Sequence, residues 1–141
     1  MSSVDSAVHF CLDMWTSPNM FSFLAVTSHY INADWEIVER LLMFQDTTDH
    51  SGAGMAQIVK TCAQDFNLSS RLGCLTMDNA SNNNSLMVAL SESLNTLDDT
   101  SYWDGEKQRI RCLPHIINLA VKALLKSLVD DGTVGNAAKD D

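Results

Sequence analysis

No apolar run in this sequence is long enough to cross a bilayer. The opening residues, MSSVDSAVHF, lack a basic segment followed by an apolar one, so no secretory signal is expected there. Cysteine is sparse: Cys11, Cys62, Cys74 and Cys112. Without a secretory signal these read as free thiols in a reducing compartment rather than as two disulfides. The N-x-[ST] matches at Asn67, Asn79 and Asn83 read as chance for the same reason. Positive charge is scarce too. Eighteen Asp and Glu against nine Lys and Arg leave a net −9, so the overall field repels a phosphate backbone. No glycine-rich phosphate loop exists: GAG at 52–54 has neither the strand before it nor the lysine within it.

What remains is a chain of 141 residues, suited to one domain, with 45% apolar residues, which excludes a disordered polymer. Residues 7–13 alternate, with Val8, Phe10 and Leu12 on one side. They predict a strand closed by Asp13. TSPN at 16–19 predicts a turn, and the aromatic and β-branched run 21–31 a second strand. NAD at 32–34 predicts a tight connection, which makes 35–45 a third strand in spite of its helical residue types. Ser51 is placed to cap a helix whose apolar face is Met55, Ile58, Val59, Cys62 and Phe66. Residues 72–78 predict a strand ending at Asp78. Leu86, Leu90, Leu94 and Leu97 mark a helix capped by Asn79 or Ser81. DDTSYWDGE at 98–106 predicts a surface loop, and RIRC at 109–112 a short strand. Pro114 opens a last helix with Ile117, Val121, Leu124 and Leu128 inward.

The predicted order is β-β-β-α-β-α-β-α. Crossover helices require parallel pairing for the later strands. The expected fold is α/β, a mixed five-stranded sheet flanked by helices over residues 7–129, followed by a frayed, disordered acidic tail at 130–141.

Two strands thus end on aspartate. In such sheets functional groups gather beyond the carboxyl ends of parallel strands. If the first and fourth strands are parallel neighbours, Asp13 and Asp78 share one end of the sheet. Two ionised carboxylates there are costly unless a hard cation lies between them. Paired metals in such a site clamp the attacking and leaving oxygens of a phosphodiester. A plainer reading stays open for each: Asp78 as the start of the following helix, Asp13 as a turn residue.

The strip from Lys107 to Val129 holds Lys107, Arg109, Arg111, Lys122 and Lys126 and no Asp or Glu. It is either a solvated helix face or a nucleic-acid edge, with His115 inside it. Cys112 and His115 have no second Cys/His pair of zinc-site spacing. They also lack a third group to orient a nucleophile and base. Structural zinc is therefore not expected. Trp15, Trp35 and Trp103 read as core or interface packing, with Trp15 a candidate border of the Asp13 site.

CLDMWTSPNMFSFLAVTSHYIN (11–32), HSG (50–52), LTMDNASNN (75–83) and RCLPHIINLAVK (111–122) succeed one another in an order and spacing that resemble hAT-type transposases, the hobo/Activator class. The residues bearing the likeness are Trp15, Thr16, Ser17, His50, Asn79, Asn82, Cys112, His115 and Asn118, with Asp13 and Asp78. The resemblance implies an RNase H-like catalytic core. It also implies three acidic residues holding Mg2+ or Mn2+, of which Asp13 matches the first and Asp78 the second. DNA is the implied substrate and partner, the nucleus the implied location. A homo-oligomer would form through regions outside this stretch. No membrane or small-molecule partner is expected.

In that family the third acid, a glutamate, comes after a helical insertion, and here no carboxylate stands between Glu106 and Asp130. The chain therefore reads as the front part of a cut-and-paste transposase core, inactive alone. The alternatives are a non-catalytic nucleic-acid- or protein-binding module, or a remnant without function.

Overall fold

The computed structural model describes residues 6–96 and 102–130. The elements run β1 (Val8–Thr16), β2 (Ser22–Ile31), β3 (Ile37–Asp46), α1 (Gly52–Asp65), a 3-10 turn (Ser69–Arg71), β4 (Leu72–Met77), α2 (Asn82–Asn95), β5 (Arg109–Arg111) and α3 (Leu113–Asp130). The anticipated order holds, with the 3-10 turn added. The sheet is five-stranded, in the order β3-β2-β1-β4-β5. β1, β2 and β3 pair antiparallel; β1 with β4 and β4 with β5 pair parallel.

Alternation along β1 buries Val8, Phe10 and Leu12 on one face. Leu24 and Val26 of β2 and Leu75 and Met77 of β4 extend that buried set. The helices α1 and α2 close over it with Met55, Ala56, Val59, Cys62 and Ala63 and with Leu86, Met87, Leu90 and Leu94. The buried stripe of α1 thus includes two alanines, while Ile58 is only half-buried and Phe66 is exposed as the residue ending the helix. Apolar periodicity weighted by size passes over such small buried side chains. All four cysteines are free.

Several expected boundaries move. β1 continues through Trp15 and Thr16, so Asp13 lies within the strand and does not close it. The chain reverses over Ser17–Phe21, where the Ser17 N–H donates to the Phe21 carbonyl at 2.7 Å and Met20 takes φ 66°. β3 begins at Ile37 because Trp35 belongs to the preceding turn, with φ 62°. The Asn32 Oδ1 organises that turn, accepting from the amides of Asp34 and Glu36 at 3.0 and 2.9 Å. The predicted loop at 98–106 is described only from Tyr102 onward, and Leu97 and the tail from 131 lie outside the described residues. Trp103 in that loop is buried and donates from Nε1 to the Gly73 carbonyl at 3.0 Å.

The last helix differs most from expectation. α3 starts in its first turn with Pro114, as anticipated, but buries none of its residues. Ile117, Val121, Leu124 and Leu128 are all exposed. The reason is architectural. α1 and α2 fill the one covered face of the sheet, and α3 leaves from β5, the edge strand. The sheet is therefore flanked by helices on one face only among the described residues.

The contact between α1 and α2 depends on Gly52. A methyl group there would meet the Ser85 Oγ and the Leu86 amide nitrogen, and would lie 2.7 Å from the Asn82 carbonyl oxygen. Ser51 caps α1 by accepting from the Gly54 amide at 3.0 Å. Substituting Gly52→Ala should lower stability by roughly 1–3 kcal/mol, the usual cost of overpacking, read as a lowered urea midpoint at unchanged slope. Burial pushes the Cys62 thiol up to about 11, with the Asp65 charge adding to the rise. A thiol raised in the folded state stabilises it below the unfolded value, near 9, and that contribution is lost as pH climbs towards 11. Cys62, 1% exposed, should accordingly resist iodoacetamide at pH about 8 until denaturant is added, as peptide mass mapping would show.

Candidate functional site: a carboxylate cleft at the end of the sheet

The parallel register pairs Cys11 with Thr76. Two residues further on, that register brings Asp13, within β1, level with Asp78, the residue that follows β4, on strands spaced roughly 4.8 Å apart. Both line one small cleft of about 40 Å³, with Leu12, Met14, Met55 and Met77 beneath it and Asn82 and Asn83 from the start of α2 beside it. That volume has room for roughly three water-sized ligands. Asp13 is exposed and Asp78 half-buried.

Asp78 is held by the turn between β4 and α2. Its Oδ1 accepts from the Ala80 amide at 3.0 Å and from the Asn83 Nδ2 at 2.6 Å. The Asn83 amide also donates to the Asp78 backbone carbonyl at 3.0 Å. Both readings of Asp78 are therefore visible. It organises the turn into α2, as a helix-starting residue does, while Oδ2 takes no hydrogen bond from the described residues. Ser81, the residue before α2, makes no side-chain cap. Asn83 is buried, a role that sequence reasoning missed. The only signal for it is polar excess, four asparagines among residues 79–84.

Part of the family-type motifs meets at this end. The Asn82 Nδ2 donates to the His50 carbonyl at 3.0 Å, so HSG at 50–52 is a docking point between the start of α1 and the start of α2. Asn79 is half-buried, with an Oδ1 that has no partner among the described residues. Thr16 shares a hydroxyl hydrogen bond with Ser22 at 2.9 Å, and Ser17 Oγ accepts from the Phe21 amide at 3.2 Å. Trp15 does not line the cleft. It packs with Phe23 and Phe44, with ring centroids 5.9 and 5.8 Å away, and stays 41% exposed. Cys112 comes directly after β5 and donates its amide to the Met77 carbonyl at 2.8 Å, one strand over from Asp78. His115 sits half-buried in the first turn of α3, and Asn118 is exposed on it.

The basic strip divides. Lys107 pairs with Asp104 at 3.0 Å. Its ammonium is held above the usual value by that hydrogen bond and charge. Arg109 and Arg111 are on β5, and Lys122 and Lys126 on the exposed α3. None of these cations lines the cleft. Arg109 reaches its rim, donating from Nη2 to the Asp78 carbonyl at 3.4 Å and from Nη1 to the Asn84 Oδ1. Burial, and then the charge of Arg111, hold the Arg109 guanidinium below its ordinary value, while Asp78 pulls the other way. The Cys11 thiol, on the same side of β1 as Asp13, is raised chiefly by burial, with Cys112, Asp13 and Glu39 adding to it.

Among the described residues no three His, Cys, Asp or Glu side chains are grouped to hold a metal ion. Two carboxylates lining one cleft nonetheless match a hard cation such as Mg2+, which is commonly held by one or two protein carboxylates together with substrate phosphates and water. Replacing Asn83 with alanine should remove the amide that seats Asp78 and lower stability by roughly 1–3 kcal/mol. Thermal unfolding checks this, and Asn83→Asp, which sets a second carboxylate against Asp78, should do worse.

The model of the ZBED1 RNase-like domain family matches residues 11–105. A Talaromyces stipitatus protein described as the transcriptional regulator tpeD is 36% identical over 115 residues, covering 81% of this chain and 13% of that protein. A Zea mays protein described as an AC transposase is 32% identical over 123 residues, covering 86% of this chain and 15% of its own length. The Oryza sativa BED-domain zinc finger protein RICESLEEPER 2 is 20% identical over 128 residues, covering 90% of this chain and 18% of its own. The chain thus spans less than a fifth of the length of these relatives. No solved structure matches it. With the five-stranded mixed sheet and the family match in agreement, the chain belongs to the ZBED1 RNase-like domain family and is a hAT-type, transposase-derived domain.

Proposed function

We propose that Asp13 and Asp78 are two of the acidic residues of a divalent-metal site that cleaves DNA phosphodiesters, and that this domain is the front part of a transposase catalytic core. The single observation carrying the reading is that Asp13, within β1, and Asp78, just past the end of the parallel neighbour β4, line the same cleft. Asp13 and the Oδ2 of Asp78, which no described residue engages, would hold Mg2+ or Mn2+. Such an ion polarises a phosphoryl oxygen and lowers the pKa of attacking water. The chain's own part is to fix the two carboxylates in register, to keep Asp78 oriented through Asn83 and Ala80, and to floor the cleft with apolar side chains. No third acid joins the two among the described residues, so the domain alone should bind a cation weakly and turn over no DNA. Action on DNA implies the nucleus as its location.

A second reading has its own support. One relative is described as a transcriptional regulator, and the described residues group no three metal-ligating side chains. On that reading the domain binds nucleic acid without cleaving it.

Mn2+ added to the isotope-labelled chain should broaden amide signals around residues 13 and 78 selectively, and Asp78→Asn should remove the effect. In a protein of the relatives' full length that carries this domain, Asp13→Asn or Asp78→Asn should abolish DNA cleavage. Cleavage retained by both variants defeats the catalytic reading. Binding retained without any wild-type cleavage favours the second.

A further inference from the structure

This inference rests on DNA being the ligand and adds where one of its phosphates sits. Arg109 and Arg111 pair in register with Leu75 and Met77, whose side chains face the helices. Strand alternation therefore directs both arginines to the α2 side of the edge strand. There they line a groove of about 520 Å³ between β5 and α2, together with Asn84. Neither arginine has a carboxylate partner among the described residues; Lys107 with Asp104 is the ion pair found there. The Arg109 Nε is buried without a hydrogen bond to any described residue. Its two terminal nitrogens are held by the Asp78 carbonyl and by Asn84.

The charge of Arg111 acts unfavourably on Arg109, and an anion held between the two guanidinium groups relieves that cost. Carboxylates do line the same groove, but they gather at its far end. Asp104 and Glu106 precede β5, and Glu92 lies two turns along α2 from Asn84. Asp104 is moreover engaged by Lys107. The groove is thus cationic where it approaches Asp78 and anionic where it runs away from it. A guanidinium pair matches the geometry of a phosphate better than any other common anion but a carboxylate.

We propose that Arg109 and Arg111 form a clamp for a backbone phosphate of DNA, next to the phosphate presented to the Asp13–Asp78 cleft. Lys122 and Lys126 on α3 have no part in it. The clamp would set the position of the strand along the cleft, which the carboxylates alone leave open.

The test is a fluorescence-anisotropy titration of the 141-residue chain with a fluorescein-labelled DNA duplex across a salt series in EDTA. Wild-type affinity should fall with salt. In R109Q/R111Q the slope of log K against log salt should shrink by roughly one, the loss of one phosphate contact, and in R111Q by a measurable part of that. R109K/R111K should restore most of it. Arg111 is exposed and holds no other side chain among the described residues, so R111Q keeps the claim testable if R109Q does not fold, with thermal unfolding as the check. An unchanged slope in R111Q, or no binding by the wild type at the lowest salt, overturns the proposal. So does saturable inorganic phosphate at these arginines that DNA fails to displace, which would assign the groove to a free anion. EDTA makes the result independent of metal. A D78N protein that still cleaves would end the carboxylate reading and leave the clamp standing.

Discussion

The parallel pairing of β1 with β4 is the constraint on which the rest of this domain depends. It joins the antiparallel β1-β2-β3 unit to the later β-α units at the centre of the sheet. Its register, Cys11 beside Thr76, sets Asp13 level with Asp78. A slip of one residue would turn one of the two strands over, sending its core residues to solvent. Phe10, Leu12, Leu75 and Met77 are buried together against α1 and α2, so the hydrophobic pattern that builds the core also aligns the carboxylates. Core and cleft are one decision, made by apolar burial.

Polar contacts then refine the arrangement that burial sets. Asn83, buried at the head of α2, bonds both the carboxylate and the carbonyl of Asp78. A buried amide so placed is costly to leave unpaired, which makes its geometry exacting. Asn82 ties the same turn to His50, and Gly52 lets the two helix starts approach without a Cβ between them. Arg109 reaches the turn from the other side. The asparagine-rich stretch after β4 thus serves as a seat for one carboxylate. Its composition suits that task, because short amides bond backbone groups at turns without adding charge.

The aspect hardest to read from residues alone is which apolar faces meet something. α1 buries Ala56 and Ala63 while Phe66, the residue ending the helix, stays exposed. α3 has the strongest apolar character of the helices and no buried residue. Periodicity reports that a helix has an apolar side; it holds no information about whether another element lies opposite. Trp103 is the converse case. It sits in a stretch read as surface loop, yet it is buried, and its indole N–H is satisfied by a carbonyl 30 residues away in sequence.

Local pattern determined the elements, their order, the helix cap at Ser51 and the aspartates as candidates, since strand alternation, helical period and turn chemistry act over a few residues. The motif spacing also indicated the family that the match over residues 11–105 then established. Tertiary structure alone decided that β1 outlasts Asp13, that Asn83 seats Asp78, and that Arg109 and Arg111 face α2 while Lys107 is taken by Asp104. Each of these rests on strand register or on contact between distant segments, and a one-dimensional pattern does not encode distance across the fold.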